Sequence, residues 1–174
     1  MSPDRAYVGI GANLGDRLAN LRSVVRFLAE GRLPGLHLRR ASPVFETSPL
    51  GPARFPFLNA VLELDTDLAP ELTLAALLAE EQRLGRERLH RWAPRTIDLD
   101  LLLLLQGGQS LAHQSDTLTL PHPGLPQRDF VLAPLAALDP NLRPHPQSPP
   151  IADLLARLPP ESRTILRQLP DPLC

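Results

Sequence analysis

The stretch Thr96 to Leu105, TIDLDLLLLL, constrains the fold more than any other part of the chain. Its apolar run reads as a central strand, because a strand covered on both faces loses the usual polar alternation. Residues two apart in a strand point the same way. Asp98 and Asp100 therefore share one face, while Ile97, Leu99 and Leu101 bury the other. Two charges on a central strand call for a partner.

The rest of the chain supplies layers around that strand. Arg5 to Ala12 reads as a first strand, stopped by the turn Asn13-Leu14-Gly15-Asp16. Asp16 can cap a helix in which Leu18, Leu21, Val24, Val25 and Leu28 recur at helical spacing, with Gly31 just past its end. Leu36 to Glu46 is predicted as a second strand, followed by the Pro-rich loop Thr47 to Pro56. Phe57 to Asp65 alternates as a third strand: Phe57, Asn59, Val61, Glu63 and Asp65 share an outward face where a ligand can bind, and Leu58, Ala60, Leu62 and Leu64 face the helices. A helix entered at Pro70 passes through Leu72, Ala76 and Ala79 to Leu84 and ends at Gly85. Beyond the acid-bearing strand, Gly107-Gly108 makes a hairpin turn toward a strand near Leu118 to Leu120. The order strand, helix, strand, strand, helix, strand predicts an α+β fold: a ferredoxin-like split β-α-β core, with a mainly antiparallel sheet and its helices on one face. One domain is expected over residues 1–174, with the core at about 5–138 and 139–174 forming a Pro-rich loop and a peripheral C-terminal segment. Phe130 to Leu138 and Ile151 to Leu158 read as short helices.

Composition narrows the chemistry. All 18 basic side chains are Arg, and the chain has no Lys. That removes the Walker-A loop, the Schiff-base lysine and the kinase strand lysine, each of which needs a primary amine. Any phosphate must be held by Arg, backbone N–H groups or metal. The net charge of -1 argues against a general nucleic-acid or membrane-surface binder. Cys174 is the only cysteine, so no internal disulfide can form. With no signal-peptide pattern and no apolar run of membrane-spanning length, a cytoplasmic setting is expected.

Three constellations could do chemistry. The pair Asp98 and Asp100 suits Mg²⁺, which takes one or two carboxylates and completes its shell with water and substrate phosphate; two solvated acids on an exposed face is the alternative. Just upstream, Arg83, Arg86, Arg88, Arg91 and Arg95 surround Trp92, and Arg binds phosphate bidentately. Together with the acids they describe a site for a Mg²⁺-nucleoside polyphosphate, against a merely basic loop or an RNA patch on which Trp92 stacks. In LTLPHPGLPQRDF, His122 is held rigidly between two prolines and is followed by Arg128 and Phe130. Phe57 and Asn59 are a counterpart on the outward sheet face. Two aromatic rings and an amide suit a flat, polar heterocycle, the alternative being that both rings pack in the core.

These pieces coincide in one family. YVGIGANLGDR, SPVFETSPLGP, FLNAVLEL, EEQRLGRER, RWAPRTIDLDLLL and LTLPHPGLPQRDFVLAPL occur in order from Tyr7 to about Leu138. In them the chain resembles the 6-hydroxymethyl-7,8-dihydropterin pyrophosphokinases of folate biosynthesis. The resemblance implies transfer of the pyrophosphoryl group of MgATP to the pterin hydroxymethyl group, releasing AMP. It implies Asp98 and Asp100 as ligands of two Mg²⁺ ions, with Arg86 and Arg95 beside them in catalysis. Glu81, Arg86, Arg88, Trp92, Arg95, Leu101, Thr119, His122 and Arg128 fall where the family binds ATP. Thr47, Ser48, Leu50, Phe57, Asn59, Trp92 and Phe130 fall where it binds the pterin.

The departures are specific. Phe57 stands where a Tyr is frequent, Thr117 where some members carry Arg, and Ser48 where a Pro is frequent, which is expected to loosen that loop. The expected partners are the two small substrates, with no nucleic acid and no membrane, and the expected state is a monomer or weak dimer. A non-catalytic ferredoxin-like module binding a small molecule or RNA is the competing reading; a small-molecule binder would need neither the Asp pair nor the clustered arginines, and an RNA binder would keep the arginines but tolerate Asp98→Ala.

Overall fold

The computed structural model describes residues 3–49, 51, 54–85 and 97–174. In chain order the elements are β1 (Asp4–Ala12), α1 (Arg17–Ala29), β2 (Leu36–Ala41), β3 (Phe45–Thr47), β4 (Phe57–Thr66), α2 (Pro70–Arg83), β5 (Asp98–Gln106), β6 (Gln109–Ser110), β7 (His113–Gln114), β8 (Thr119–Leu120), α3 (Asp129–Leu138), α4 (Ile151–Ala156) and β9 (Ile165–Gln168). Among the described residues the main sheet has seven strands in the order β6-β5-β1-β4-β3-β9, with β2 also paired to β4. Every pairing in it is antiparallel. This is the ferredoxin-like α+β arrangement read from the element order. Among the described residues, no helix is long and apolar enough to cross a membrane.

Local chemistry sets the boundaries. The Asp16 carboxylate accepts the Ala19 N–H at 3.1 Å and caps α1, while Gly31 just beyond that helix adopts φ 68°, a conformation other residues resist. The predicted strand Leu36 to Glu46 is broken in two. Pro43 has no N–H to give a ladder, and Ser42 bridges the gap: its N–H donates to the Val61 carbonyl, and its Oγ accepts the Val61 N–H, both at 2.9 Å.

α1 and α2 cover one sheet face, closing a core of Val8, Ile10, Leu21, Val25, Leu62, Leu77 and Leu99. The face that α2 buries is Thr73, Leu77, Glu80 and Glu81, not the predicted line through Leu72, which is 58% exposed. The opposite face differs from expectation. α3, apolar on nearly every side, lies across Tyr7, Val61 and Leu103, and α4 packs beside it. The outward face of β4 is therefore open at one end, at Phe57 and Asn59, and partly open at Asp65 at the other, while Val61 and Glu63 between them are fully buried. The segment expected to be peripheral also enters the fold, because β9 pairs with β3 and Leu173 joins the core.

Candidate functional site

The uncovered end of that face is floored by glycine. In β1, Gly9 lies opposite Asp100 of β5 and Gly11 opposite Asp98, and on the other side Gly11 faces Asn59 of β4. Asn59, Gly11 and Asp98 thus form one row across three strands. A Cβ on Gly11 would come within 2.8 Å of Asn59 Oδ1, so the row requires glycine there. A register shift between Tyr7 and Val8 lets β5 turn Asp98 and Asp100 to the same face as Leu103 and Leu105, which lie under α3.

A cleft of about 710 Å³ opens over this floor. Of the sequence-predicted residues, Thr47, Phe57, Asn59, Glu81, Asp98, Asp100, Leu101, Thr119, His122, Arg128 and Phe130 all line it. Leu50, Arg86, Arg88, Trp92 and Arg95, with Arg91 beside them, lie outside the described residues. Ser48 does not line the cleft. Its N–H (2.9 Å) and its hydroxyl (3.3 Å) both donate to the Thr164 carbonyl, so the residue expected to loosen this loop ties it down.

Each wall is held by its own bonds. On the β4 side, the Asn59 amide donates to Thr47 Oγ1 at 2.8 Å, which orients the amide at the cleft edge and leaves its oxygen over Gly11. On the β5 side the cleft wraps around the strand edge toward α2, where Glu81 is 2% exposed and its carboxylate accepts the Leu99 N–H at 2.7 Å. Leu101 lies on this edge, largely buried in the core beneath α1 and α2.

The third wall is the segment before α3. The His122 N–H donates to the Leu102 carbonyl at 2.8 Å, and the Gly124 N–H donates to His122 Nδ1 at 3.0 Å. Nδ1 is thereby an acceptor, which assigns the ring proton of the neutral imidazole to Nε2. Burial first, and then the charge of Arg128, hold this imidazole below its usual range, with Asp98 pulling the other way. The Arg128 guanidinium lies 5.8 Å from the centre of the Phe130 ring and packs where a Cβ on Gly124 would stand, 2.6 Å from its central carbon.

The donor set fits Mg²⁺. Asp98 and Asp100 are partly buried, offer hard oxygen ligands from one strand face, and open on a cleft with room for phosphate oxygens and water.

Gly9, Gly11 and Gly124 were absent from the sequence-predicted site. For the first two the signal was present: glycines two apart within a strand weaken it unless something approaches its backbone. Gly124 gave no such signal, because its role depends on where Arg128 folds back.

Comparison with known proteins points to one family. The family model described as 7,8-dihydro-6-hydroxymethylpterin-pyrophosphokinase matches residues 7–140. A 2-amino-4-hydroxy-6-hydroxymethyldihydropteridine pyrophosphokinase of Pseudomonas aeruginosa is 43% identical over 156 residues, 89% of this chain and 92% of that one. The like-named protein of Methylorubrum extorquens is 41% identical over 139 residues, covering 79% and 84% of the two chains. That of Synechocystis is 39% identical over 136 residues, 78% of this chain and 67% of the relative. Among solved structures, an HPPK-DHPS in complex with substrates superposes with a TM-score of 0.65 at 12% identity, covering 90% of this chain and 43% of that one. The wild-type Plasmodium falciparum HPPK-DHPS gives 0.66 at 12% identity, covering 88% and 44%. The chain spans less than half of those longer chains, and at such identity they bear on the fold alone.

Proposed function

The chain belongs to the 7,8-dihydro-6-hydroxymethylpterin-pyrophosphokinase family, and from that premise we infer how its cleft performs pyrophosphoryl transfer from ATP to the hydroxymethyl group of the dihydropterin, a step of folate synthesis. The observation that carries the assignment is the row Asn59, Gly11, Asp98. It sets the residues suited to a flat heterocycle and the residues suited to phosphate and metal on either side of one strand, β1, on a floor with no side chains between them.

The pterin lies between Phe57 and Phe130, which stack on its faces, while Asn59, Thr47 and Leu50 hold its polar edge; Ser48, whose N–H and hydroxyl are both bonded to the Thr164 carbonyl, supports that edge without facing the cleft. Phe57 offers stacking without the hydroxyl that a Tyr would add. ATP occupies the β5 side, with Glu81, Leu101, Thr119 and His122 around the nucleotide. Arg86, Arg88, Trp92, Arg95 and Arg128 are assigned to the nucleotide and its phosphates.

Attack of the pterin hydroxymethyl oxygen on the β-phosphorus forms a new P–O bond and breaks the bond to the α-phosphate oxygen, which leaves as AMP, and the hydroxyl proton is released to water. Asp98 and Asp100 would hold Mg²⁺, two ions in this reading, which when bound neutralises charge on the reacting oxygens. Arg86, Arg95 and Arg128 neutralise the remaining phosphate charge, and neutral His122 donates from Nε2. Holding the two substrates in line across the glycine floor turns a bimolecular reaction into an intramolecular one, and such positioning supplies most of the rate. The setting of this chemistry is cytoplasmic.

The test is the product. The protein with MgATP should form AMP, and no ADP, only when the hydroxymethyl dihydropterin is added. Asp98→Asn and Asp100→Asn should each lower turnover by roughly a hundredfold or more with an unchanged thermal midpoint. ADP as product, or full turnover in both variants, overturns the assignment.

A further inference from the structure

The family match ends at residue 140, yet a residue well beyond it joins the two walls of the pterin side. Thr164 immediately precedes β9. Its carbonyl accepts the N–H of Ser48 at 2.9 Å and the Ser48 hydroxyl at 3.3 Å. Its own N–H and hydroxyl donate to the Asp129 carboxylate at 2.6 and 2.5 Å, and the Ile165 N–H donates to the same carboxylate at 3.0 Å. Asp129 is 2% exposed and stands between Arg128 and Phe130. Ser48 follows Thr47, the partner of Asn59.

We propose that Thr164 is a positioning residue for the pterin site, setting the separation between the Phe130 ring and the Thr47–Asn59 edge by bonding both segments that carry them. The inference rests on the reading of Phe57, Phe130, Thr47 and Asn59 as the pterin-binding residues. β4 holds Phe57 and Asn59 in the centre of the sheet, but Thr47 ends a three-residue strand and Phe130 opens a helix on the opposite layer. No backbone ladder joins β3 to α3 directly; β3 pairs with β4, and α3 packs on it. The Thr164 bonds link the two segments, and the short ladder of β9 on β3, with Thr47 opposite Ile165, continues them.

The chemistry suits the task. A buried carboxylate with three donors makes charge-assisted bonds, which are shorter and stronger than neutral ones and tolerate little displacement. On the other side, the N–H of Ser48 is available only because this position is not proline, which has no such donor. The tie is therefore a property of this chain's own residue at position 48.

A tie that only adds stability would affect both substrates alike, whereas a positioning role splits them. The test is steady-state kinetics on the full chain, varying each substrate against saturating amounts of the other. Thr164→Val removes the hydroxyl and keeps the shape. It should raise the KM for the pterin about three- to tenfold, the range that one lost hydrogen bond covers, and leave the KM for ATP unchanged. Thr164→Ser restores the hydroxyl and should return the pterin KM to within about twofold of the parent. Asp129→Asn keeps an acceptor for the backbone donors and should shift the pterin KM in the same direction by less; it carries the test if the valine variant does not fold.

Phe130→Ala separates this inference from the reading beneath it. A raised pterin KM in Phe130→Ala with none in Thr164→Val and Asp129→Asn overturns the role of Thr164 alone. So does an equal rise for both substrates, or a serine variant as impaired as the valine one. An unchanged pterin KM in Phe130→Ala overturns the pterin placement, and the inference falls with it.

Discussion

The Glu81 carboxylate accepts the backbone N–H of Leu99 at 2.7 Å, and Leu99 stands between Asp98 and Asp100. A residue in the last turns of α2 thus fixes the height of the strand edge from which both acids project. Glu81→Ala leaves that buried N–H without its acceptor, which should cost about 1–3 kcal/mol in urea unfolding and lower turnover with it. Glu81→Gln keeps an acceptor oxygen and should recover most of both. A glutamine variant as stable as the parent but with weakened ATP binding would make nucleotide contact, rather than the strand anchor, the main role of Glu81.

Two glycines allow the halves of the cleft to be disturbed separately. In Gly11→Ala the new methyl meets Asn59 Oδ1 at 2.8 Å, in a strand hydrogen-bonded on both sides, so the amide must move and its bond to Thr47 must lengthen. The pterin KM should rise by about tenfold, the scale of one hydrogen bond plus local strain. In Gly124→Ala the methyl meets the end of a flexible side chain, Arg128, which can swing away. That variant should fold as well as the parent and lose affinity for ATP. Kinetics in which both variants weaken the same substrate would contradict the division of the cleft.

Much of this was legible in the sequence because local rules decide it. Alternation in Phe57 to Asp65 and the acids at Asp98 and Asp100 set which side chains share a face, and period-two geometry leaves no freedom there. The caps Asp16, Gly31 and Gly85 mark helix ends for equally local reasons. What stayed hidden depends on contacts between distant segments. The run FVLAPLAAL says that α3 is buried but not against which face, and it covers Val61, which alternation had left exposed. Likewise the four-residue strand β9, half of it polar, gives no sign of pairing with β3. The role of Ser48 depends on the Thr164 carbonyl, 116 residues away.

His122 gives a pH prediction with a definite sign. Burial first and Arg128 second hold its folded value below the ordinary 6.5. As pH falls through 6.5 the unfolded chain takes up this proton before the folded one does. This residue therefore subtracts stability on acidification, until the folded value is reached and both states are protonated. Arg128→Gln removes the second cause while leaving the first. In an NMR titration of the ligand-free protein the His122 ring should titrate at higher pH in the variant, and still below 6.5. An unmoved titration would mean that Arg128 does not act on this ring.

Tyr7 is the only tyrosine in the chain, so its titration can be followed directly by phenolate absorbance. Its hydroxyl donates to Glu63 Oε1 at 3.3 Å beneath α3, and burial, followed by the Glu63 charge, pushes the phenol up to about 12. Glu63 is itself fully buried, with Arg40 at 2.5 Å, Arg5 at 3.4 Å and Arg39 at 3.8 Å from its carboxylate. The folded value lies above the ordinary 10.0. The contribution to stability is therefore complete below pH 10 and is lost as pH rises from there toward 12. In the folded protein, phenolate absorbance should stay absent through pH 10 and emerge only near 12 or on unfolding. Glu63→Gln removes the negative neighbour but not the burial, so absorbance should emerge earlier than in the parent and still above pH 10. Phenolate forming at 10 while the protein remains folded would show that Tyr7 reaches water, and that α3 does not seal this face of the sheet.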